Sequence, residues 1–217
     1  MAESKNGLAQ ARCRFCSTSL EHTVVDLGMS PLCESFLAPE QNNQMEAFYP
    51  LRAYVCSNCF LVQLEEYVSP AHIFTEYAYF SSYSDSWLLH AKNYVEMITS
   101  RLGLNARSKV VELASNDGYL LQYFVEKGIP SLGIEPAANV AASAEKRGVP
   151  TLVQFFGGKA AAALTDQRGK ADLIIGNNVL AQVPDINDFV KGMKTLLEHD
   201  GVITMEFPHL VQLMEQN

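Results

Sequence analysis

Residues 110–118 read Val110-Val111-Glu112-Leu113-Ala114-Ser115-Asn116-Asp117-Gly118, and this stretch decides the fold of the C-terminal half. A short apolar run carrying one acid ends in a polar turn of small residues and a glycine. A helix is expected next, over about residues 119–127, closed by Gly128. The alternation continues downstream. Strands are expected at 131–134, 151–155, 172–176 and 201–207. Helices are expected at 137–147 (closed by Gly148), from about 159, and at 185–198, where Phe189, Met193 and Leu196 or Leu197 face inward. Strands alternating with helices imply a parallel sheet joined by right-handed crossovers. The expected fold class is therefore α/β with a Rossmann-like sheet.

In such sheets ligands bind at the carboxyl ends of the strands. Here the first strand carries Glu112 and runs into Ala114, Ser115, Asn116 and Gly118, small residues that let a ligand approach the backbone. The next acid, Glu135, stands at the end of the second strand with Pro136 beside it. A carboxylate there can accept both hydroxyls of a ribose. The fourth strand ends in Gly176-Asn177-Asn178, at the same edge. The turn lacks the full G-x-G-x-x-G pattern that a dinucleotide's phosphates favour. S-adenosylmethionine has no phosphate, so the poorer glycine content points to it as the cofactor. The plain alternative is a doubly wound domain with no cofactor.

Upstream lies an aromatic segment followed by a helix. Ser84 or Asp85 can cap its first turn, and Gly103 can end it. Trp87, Ala91, Tyr94, Val95 and Ile98 fall on one helical face, as a core-packing helix requires. Further upstream sit all five cysteines. Cys13-Arg14-Phe15-Cys16 and Cys56-Ser57-Asn58-Cys59 are two C-x-x-C knuckles, and two such knuckles supply the four-sulfur shell of a structural Zn²⁺. A four-thiolate site leaves no open coordination position, so the metal is expected to hold the fold together and to take no part in chemistry. A redox pair or bare buried thiols are the alternatives. Cys33, between the knuckles, is expected to be a buried apolar residue rather than a ligand.

The 217 residues suffice for one ordinary domain plus a small one, and 48% apolar content can form a core. The formal net charge of −8, with no cluster of Lys and Arg, argues against a nucleic-acid partner. No apolar run is long enough to cross a membrane. Residues 1–11 are polar and lack the apolar stretch of a secretion signal, so a cytoplasmic location is expected.

Several segments together resemble the deoxysugar C-methyltransferases, which act on nucleotide-linked 4-keto sugars. They are the two knuckles, Gly28-Met29-Ser30-Pro31-Leu32, the run from Tyr77 to Ser84, the run from Glu112 to Leu121, Asn177-Asn178-Val179-Leu180-Ala181, and Glu206-Phe207-Pro208-His209. The resemblance covers nearly the whole chain. The residues themselves read as a cysteine-bearing, zinc-binding domain over 1–66, an aromatic and helical connector over 67–104, and an S-adenosylmethionine domain over 105–217. The resemblance implies a zinc-binding N-terminal domain, a central S-adenosylmethionine domain and a C-terminal domain that helps close over the sugar. It implies methyl transfer to C-3 of the sugar, whose proton is acidified by the C-4 ketone. A base removes that proton, nearby donors stabilise the enolate, and carbon attacks the methyl group. By resemblance, Tyr77 or Tyr79 reaches the sugar, with Tyr83 beside them. His209 and Glu206, at the cofactor edge, are further candidates for chemistry. His22, His72, His90 and His199 have no partner legible in sequence and are expected at the surface or in packing.

Two departures from the family stand out. Where its members usually carry histidine before Val-Pro-Asp, this chain has Gln182, whose amide can hydrogen-bond a substrate oxygen but does not titrate. The base is then expected elsewhere, or catalysis is impaired. Family members also run on for about as many residues again. The chain is accordingly expected to be truncated, with a sheet incomplete on its C-terminal side. Its fifth strand would then be an apolar edge that invites self-association. Three functions fit: a sugar C-methyltransferase, an S-adenosylmethionine-binding protein with lost or impaired catalysis, and a zinc-knuckle methyltransferase on protein or RNA.

Overall fold

The computed structural model describes residues 11–216, so the polar N-terminal segment lies outside the described residues apart from Ala11. The chain divides into two compact units, 1–69 and 70–217.

The first unit holds a three-stranded antiparallel sheet in the order β1 (His22–Ser30), β2 (Tyr49–Val55), β3 (Val62–Leu64). Two irregularities interrupt β1, between Thr23 and Val25 and between Asp26 and Met29. At the second, Gly28 has φ 81° and its N–H donates to Asp26 Oδ1 at 3.0 Å. Glycine adopts that angle without the Cβ clash that other residues would meet. The apolar core of this unit is small: Cys13, Leu20 and Cys56 are buried, with Tyr54 and Leu61 packed against them. Cys33 is exposed, contrary to expectation. The loop that follows Pro31 has no core to bury it in.

The second unit begins with a short helix α1 (Pro70–Phe74) and the long helix α2 (Asp85–Leu102). Ser84 Oγ caps α2 by accepting the Trp87 N–H, and Gly103 ends it at φ 64°. There follow β4 (Val110–Leu113), α3 (Leu121–Glu126), β5 (Ser131–Ile134), α4 (Ala138–Lys146), β6 (Thr151–Leu152), α5 (Gly158–Arg168), β7 (Ala171–Asn177), α6 (Ile186–Leu196), β8 (Leu197–Glu206) and α7 (Leu210–Gln216). The five strands are parallel in the order β6-β5-β4-β7-β8, which leaves β8 at one edge.

Strand alternation builds a core on each face of this sheet. Val110, Leu173 and Ile175 pack with Ala91, Val95 and Ile98 of α2 and with Phe124 of α3. Val111, Leu113 and Ile174 pack with Leu164 of α5 and with Phe189 and Met193 of α6. Helix α2 is thus part of the sheet domain's own core, and the 67–104 segment is no separate connector. Its Ala91, Val95 and Ile98 stripe is buried against the sheet instead. Two elements are shorter than the sequence suggests. Tyr119 and Leu120 stay in the turn before α3, and the third strand stops at Leu152, which leaves residues 153–156 as a loop. No described helix is long and apolar enough to cross a membrane.

A cavity at the carboxyl edge and a four-sulfur cluster

Three residues of the turn after β4 take left-handed backbone angles: Ala114 (φ 57°), Asn116 (φ 50°) and Gly118 (φ 76°). For the alanine this is a costly conformation, and such strain concentrates at binding sites. It turns the Asn116 N–H onto Glu135 Oε2 at 2.9 Å, while the Ala137 N–H donates to Glu135 Oε1 at 2.9 Å. Glu135 is buried. Burial raises its pKa, and the two backbone donors work against that rise. Each of its oxygens retains a second lone pair for a ligand.

Glu135 lines a cavity of about 230 Å³ together with Ala114, Asn116, Pro136, Asn177 and Asn178. Six of the nine residues expected around a cofactor therefore share one wall. The other three do not reach it. Gly118 packs its turn against α4 and the loop after it, because a Cβ there would lie 3.0 Å from Val149 Cγ2 and 3.2 Å from Ala144 Cβ. Ser115 is buried against β5, where its Oγ occupies the space left by the missing side chain of Gly133. Glu112 lies wholly inside the sheet, and neither carboxylate oxygen has a hydrogen-bond partner. Desolvation pushes its pKa well above the ordinary carboxylate range, and the charges of Glu135 and Asp117 add to the effect. The nearby Tyr119 hydroxyl offsets part of this rise without meeting hydrogen-bond geometry to either oxygen.

The opposite wall is aromatic. Tyr77 and Tyr79 line the cavity, with ring centroids 6.3 Å apart, and Phe74 meets Tyr77 edge-on at 5.4 Å. Gln182 also lines it, and its Nε2 donates to Asn178 O at 2.9 Å. His209 does not line it: its Nδ1 accepts the Gln212 N–H at 3.3 Å and caps α7. Glu206 likewise turns away, pairing with His90 Nε2 at 2.8 Å. His90 therefore has a partner that the sequence does not announce, and its ring also stacks on Trp87 at 5.0 Å. Tyr83 is largely exposed.

Sequence reasoning missed Trp87, Tyr119 and the run Gln154-Phe155-Phe156, which all line the cavity. Trp87 and Tyr119 stack at 6.1 Å, and Tyr119 Oη accepts from Asn177 Nδ2 at 3.3 Å. Trp87 looked like core because it sits on the buried face of its helix. The 154–156 run looked like strand because its apolar residues continue the pattern of β6.

In the first unit the Sγ atoms of Cys13, Cys16, Cys56 and Cys59 all lie within 4.8 Å of one another. Cys13–Cys59 and Cys16–Cys56 are each 3.5 Å apart, close to the ~3.8 Å edge of a tetrahedron with Zn–S bonds of about 2.3 Å. The two knuckles share one backbone pattern. Ser17 N donates to Cys13 O and Phe60 N to Cys56 O. Cys13 N donates to Thr18 O and Cys56 N to Leu61 O. Ser17 and Phe60 occupy matching left-handed positions at φ 62° and 61°. The buried Gln63 donates Nε2 to Cys13 Sγ at 3.2 Å and accepts the Arg14 N–H at 2.9 Å, a supporting contact of the kind that orients metal ligands. The donor set and its spacing fit a closed structural Zn²⁺.

Strand order, left-handed turn and acid-lined cavity together define the class I methyltransferase fold. The chain belongs to the methyltransferase family: the model described as "Methyltransferase domain" matches residues 87–215, more than half of its length. A second model, described as "Putative zinc binding domain", matches residues 13–74. The chain is 33% identical over 205 residues to the C-methyltransferase NovU of Streptomyces niveus, a match covering 94% of this chain and 49% of NovU. It thus spans about half the length of that curated relative. Among solved structures it is similar to the PH0226 protein of Pyrococcus horikoshii OT3, with TM-score 0.51 and 16% identity over 64% of this chain and 62% of that one. A methyltransferase of Clostridium acetobutylicum aligns with TM-score 0.49 and 16% identity over 62% of this chain and 55% of that one.

Proposed function

We propose that this chain carries the cofactor site, and part of the acceptor site, of an S-adenosylmethionine-dependent C-methyltransferase acting at C-3 of a nucleotide-linked 4-keto deoxysugar. The observation that carries the reading is Glu135. It is a buried carboxylate fixed by two backbone N–H groups at the carboxyl end of β5, and it opens on a cavity shared with an aromatic wall. S-adenosylmethionine fits this donor set. It offers a ribose diol for the free lone pairs of Glu135 and has no phosphate to demand a glycine cradle. Ala114 and Asn116 stand where such a cradle would need glycine. When bound, the cofactor supplies an electrophilic methyl group. NovU, whose alignment covers 94% of this chain, supports carbon as the acceptor atom.

The chain's own residues then have separable tasks. Glu135 orients the ribose. Asn177 and Asn178 form the floor at the end of β7. Tyr77 and Tyr79 present hydroxyls to the acceptor, and a phenol is a suitable donor to an enolate oxygen forming beside the C-4 ketone. Gln182, anchored to Asn178 O, can hold a sugar oxygen but cannot take the C-3 proton. That last observation favours a second reading, cofactor binding with little or no turnover.

Calorimetric titration with S-adenosylmethionine tests the cofactor assignment. Glu135→Ala is expected to weaken binding by about 1–3 kcal/mol, the worth of a charge-assisted hydrogen bond. An unchanged affinity would remove Glu135 from the ribose role. Methyl transfer to a keto-sugar nucleotide separates the two readings. Under the second, the natural chain is silent and Gln182→His gains measurable turnover. Turnover by the natural chain, unimproved by histidine, would sink it.

A further inference from the structure

Two asparagine side chains do for residues 77–81 what a neighbouring strand does elsewhere. Asn139, in the first turn of α4, accepts the Tyr77 N–H at Oδ1 (3.1 Å) and donates Nδ2 to Tyr77 O (2.7 Å). A carboxamide thereby makes both bonds of a ladder rung to one residue. Asn116 repeats the device: Oδ1 accepts the Ser81 N–H at 2.8 Å, and Nδ2 donates to Tyr79 O at 3.2 Å. Beyond them, Arg147 Nη2 donates to Ser82 Oγ at 2.6 Å, and Arg147 Nη1 pairs with the buried Asp117 at 2.8 Å.

Residues 77–80 themselves have no helix or strand. Tyr79 is 47% exposed, and burial begins only at Ser81. The two tyrosine rings are therefore placed by side-chain amides more than by core packing. Asn139 also sits two residues beyond Ala137, whose N–H holds Glu135. One helix start thus touches the acid on one wall of the cavity and fixes the aromatic segment on the other.

We infer that Asn139 is a positioning residue: by fixing the backbone of Tyr77 it sets the aromatic wall against which the methyl acceptor lies. This rests on the reading that the cavity holds cofactor and acceptor together. Replacing it with aspartate keeps an acceptor for the Tyr77 N–H but loses the donor and sets a charge against Tyr77 O. Alanine loses both bonds. Neither change touches Glu135.

The test compares the unmodified chain with Asn139→Ala and Asn139→Asp in three measurements: affinity for S-adenosylhomocysteine by calorimetry, KM and kcat with a 4-keto-sugar nucleotide, and amide hydrogen exchange over residues 77–81. The expected result for alanine is a cofactor-product affinity within about twofold and an acceptor KM raised about tenfold, with aspartate in between. Equal loss of both affinities overturns the inference, because a general structural defect would do that. So does an unchanged KM. If the unmodified chain methylates no keto sugar, the acceptor reading fails separately, and exchange then decides the positioning role. Amides of 77–81 that exchange about tenfold faster in Asn139→Ala, at unchanged S-adenosylhomocysteine affinity, uphold it, and unchanged exchange overturns it. A folded chain that binds no S-adenosylhomocysteine overturns the inference together with the cofactor reading.

Discussion

Stripping metal from the four-cysteine cluster is expected to unfold the first unit and leave the second standing. The reason is the size of the cores. Among its described residues the first unit buries only Cys13, Leu20, Cys56 and Gln63, so half of its buried residues are cysteines of the cluster. Burying one leucine stabilises by about 1.5–3 kcal/mol, far below the cost of ordering some sixty residues. Zinc binding at structural sites in small peptides supplies about 10–16 kcal/mol, several times the worth of that leucine. Without the ion, four thiols would also crowd into a space where two pairs already approach to 3.5 Å. The second unit has an apolar core on each face of its sheet and no part in the cluster. Chelation, or Cys56→Ser, should therefore collapse amide protection over residues 11–69 while that of the sheet persists. Retained protection in the first unit after verified metal removal would overturn the structural role.

Glu112→Gln is expected to change how stability depends on pH. In the folded chain Glu112 is fully buried with no partner for either oxygen, and burial raises its pKa well above 4.5. Below about 4.5 the carboxyl is protonated in both states and contributes no pH dependence. Above that, the unfolded chain releases its proton while the folded chain keeps it, so folding takes up a proton and stability falls as pH rises. The slope is about 1.4 kcal/mol per pH unit until the folded pKa is passed. Glutamine has no proton to keep, so its variant loses this slope. Glu135, whose pKa is also raised, contributes the same sign to both proteins and cancels in the comparison. Any fixed cost of the new amide is the same at every pH. Urea midpoints measured from pH 4 to 8 should show the variant gaining on the natural chain as pH rises. Parallel curves would mean that Glu112 ionises in the folded state at its ordinary pKa.

The sheet domain was legible in sequence because its signals are local. Apolar runs, glycine stops and the acid after the second strand give the element order and put Glu135 at the carboxyl edge with no tertiary information. The knuckles were legible for the same reason: each is four residues long. What failed is non-local. Ser115 and Gly118 belong to the right turn, but whether a turn residue faces a ligand or a neighbouring helix depends on Gly133, Ala144 and Val149. Glu112 stands in the first strand as expected, yet alternation puts it on the face of Val110, buried beneath the helices. His209 follows the last strand as expected, and the helix that begins there takes up its ring nitrogen as a cap. Tyr77 and Tyr79 line the cavity, but the fastening of their segment to Asn139, 62 residues later, leaves no periodic trace in the sequence.

That separation also has a temporal meaning. A ribosome adds about 5–20 residues per second, so Asn139 is made roughly 3–12 s after Tyr77. The wall of the cavity is therefore synthesised well before the helix that secures it. During that interval a run of exposed tyrosine and phenylalanine waits on the nascent chain without its amide clamp. Translation speed across residues 77–139 then sets how long this sticky stretch stays open to chaperones and to chance aggregation. Slow codons between the two would lengthen that exposure, and fast ones would shorten it.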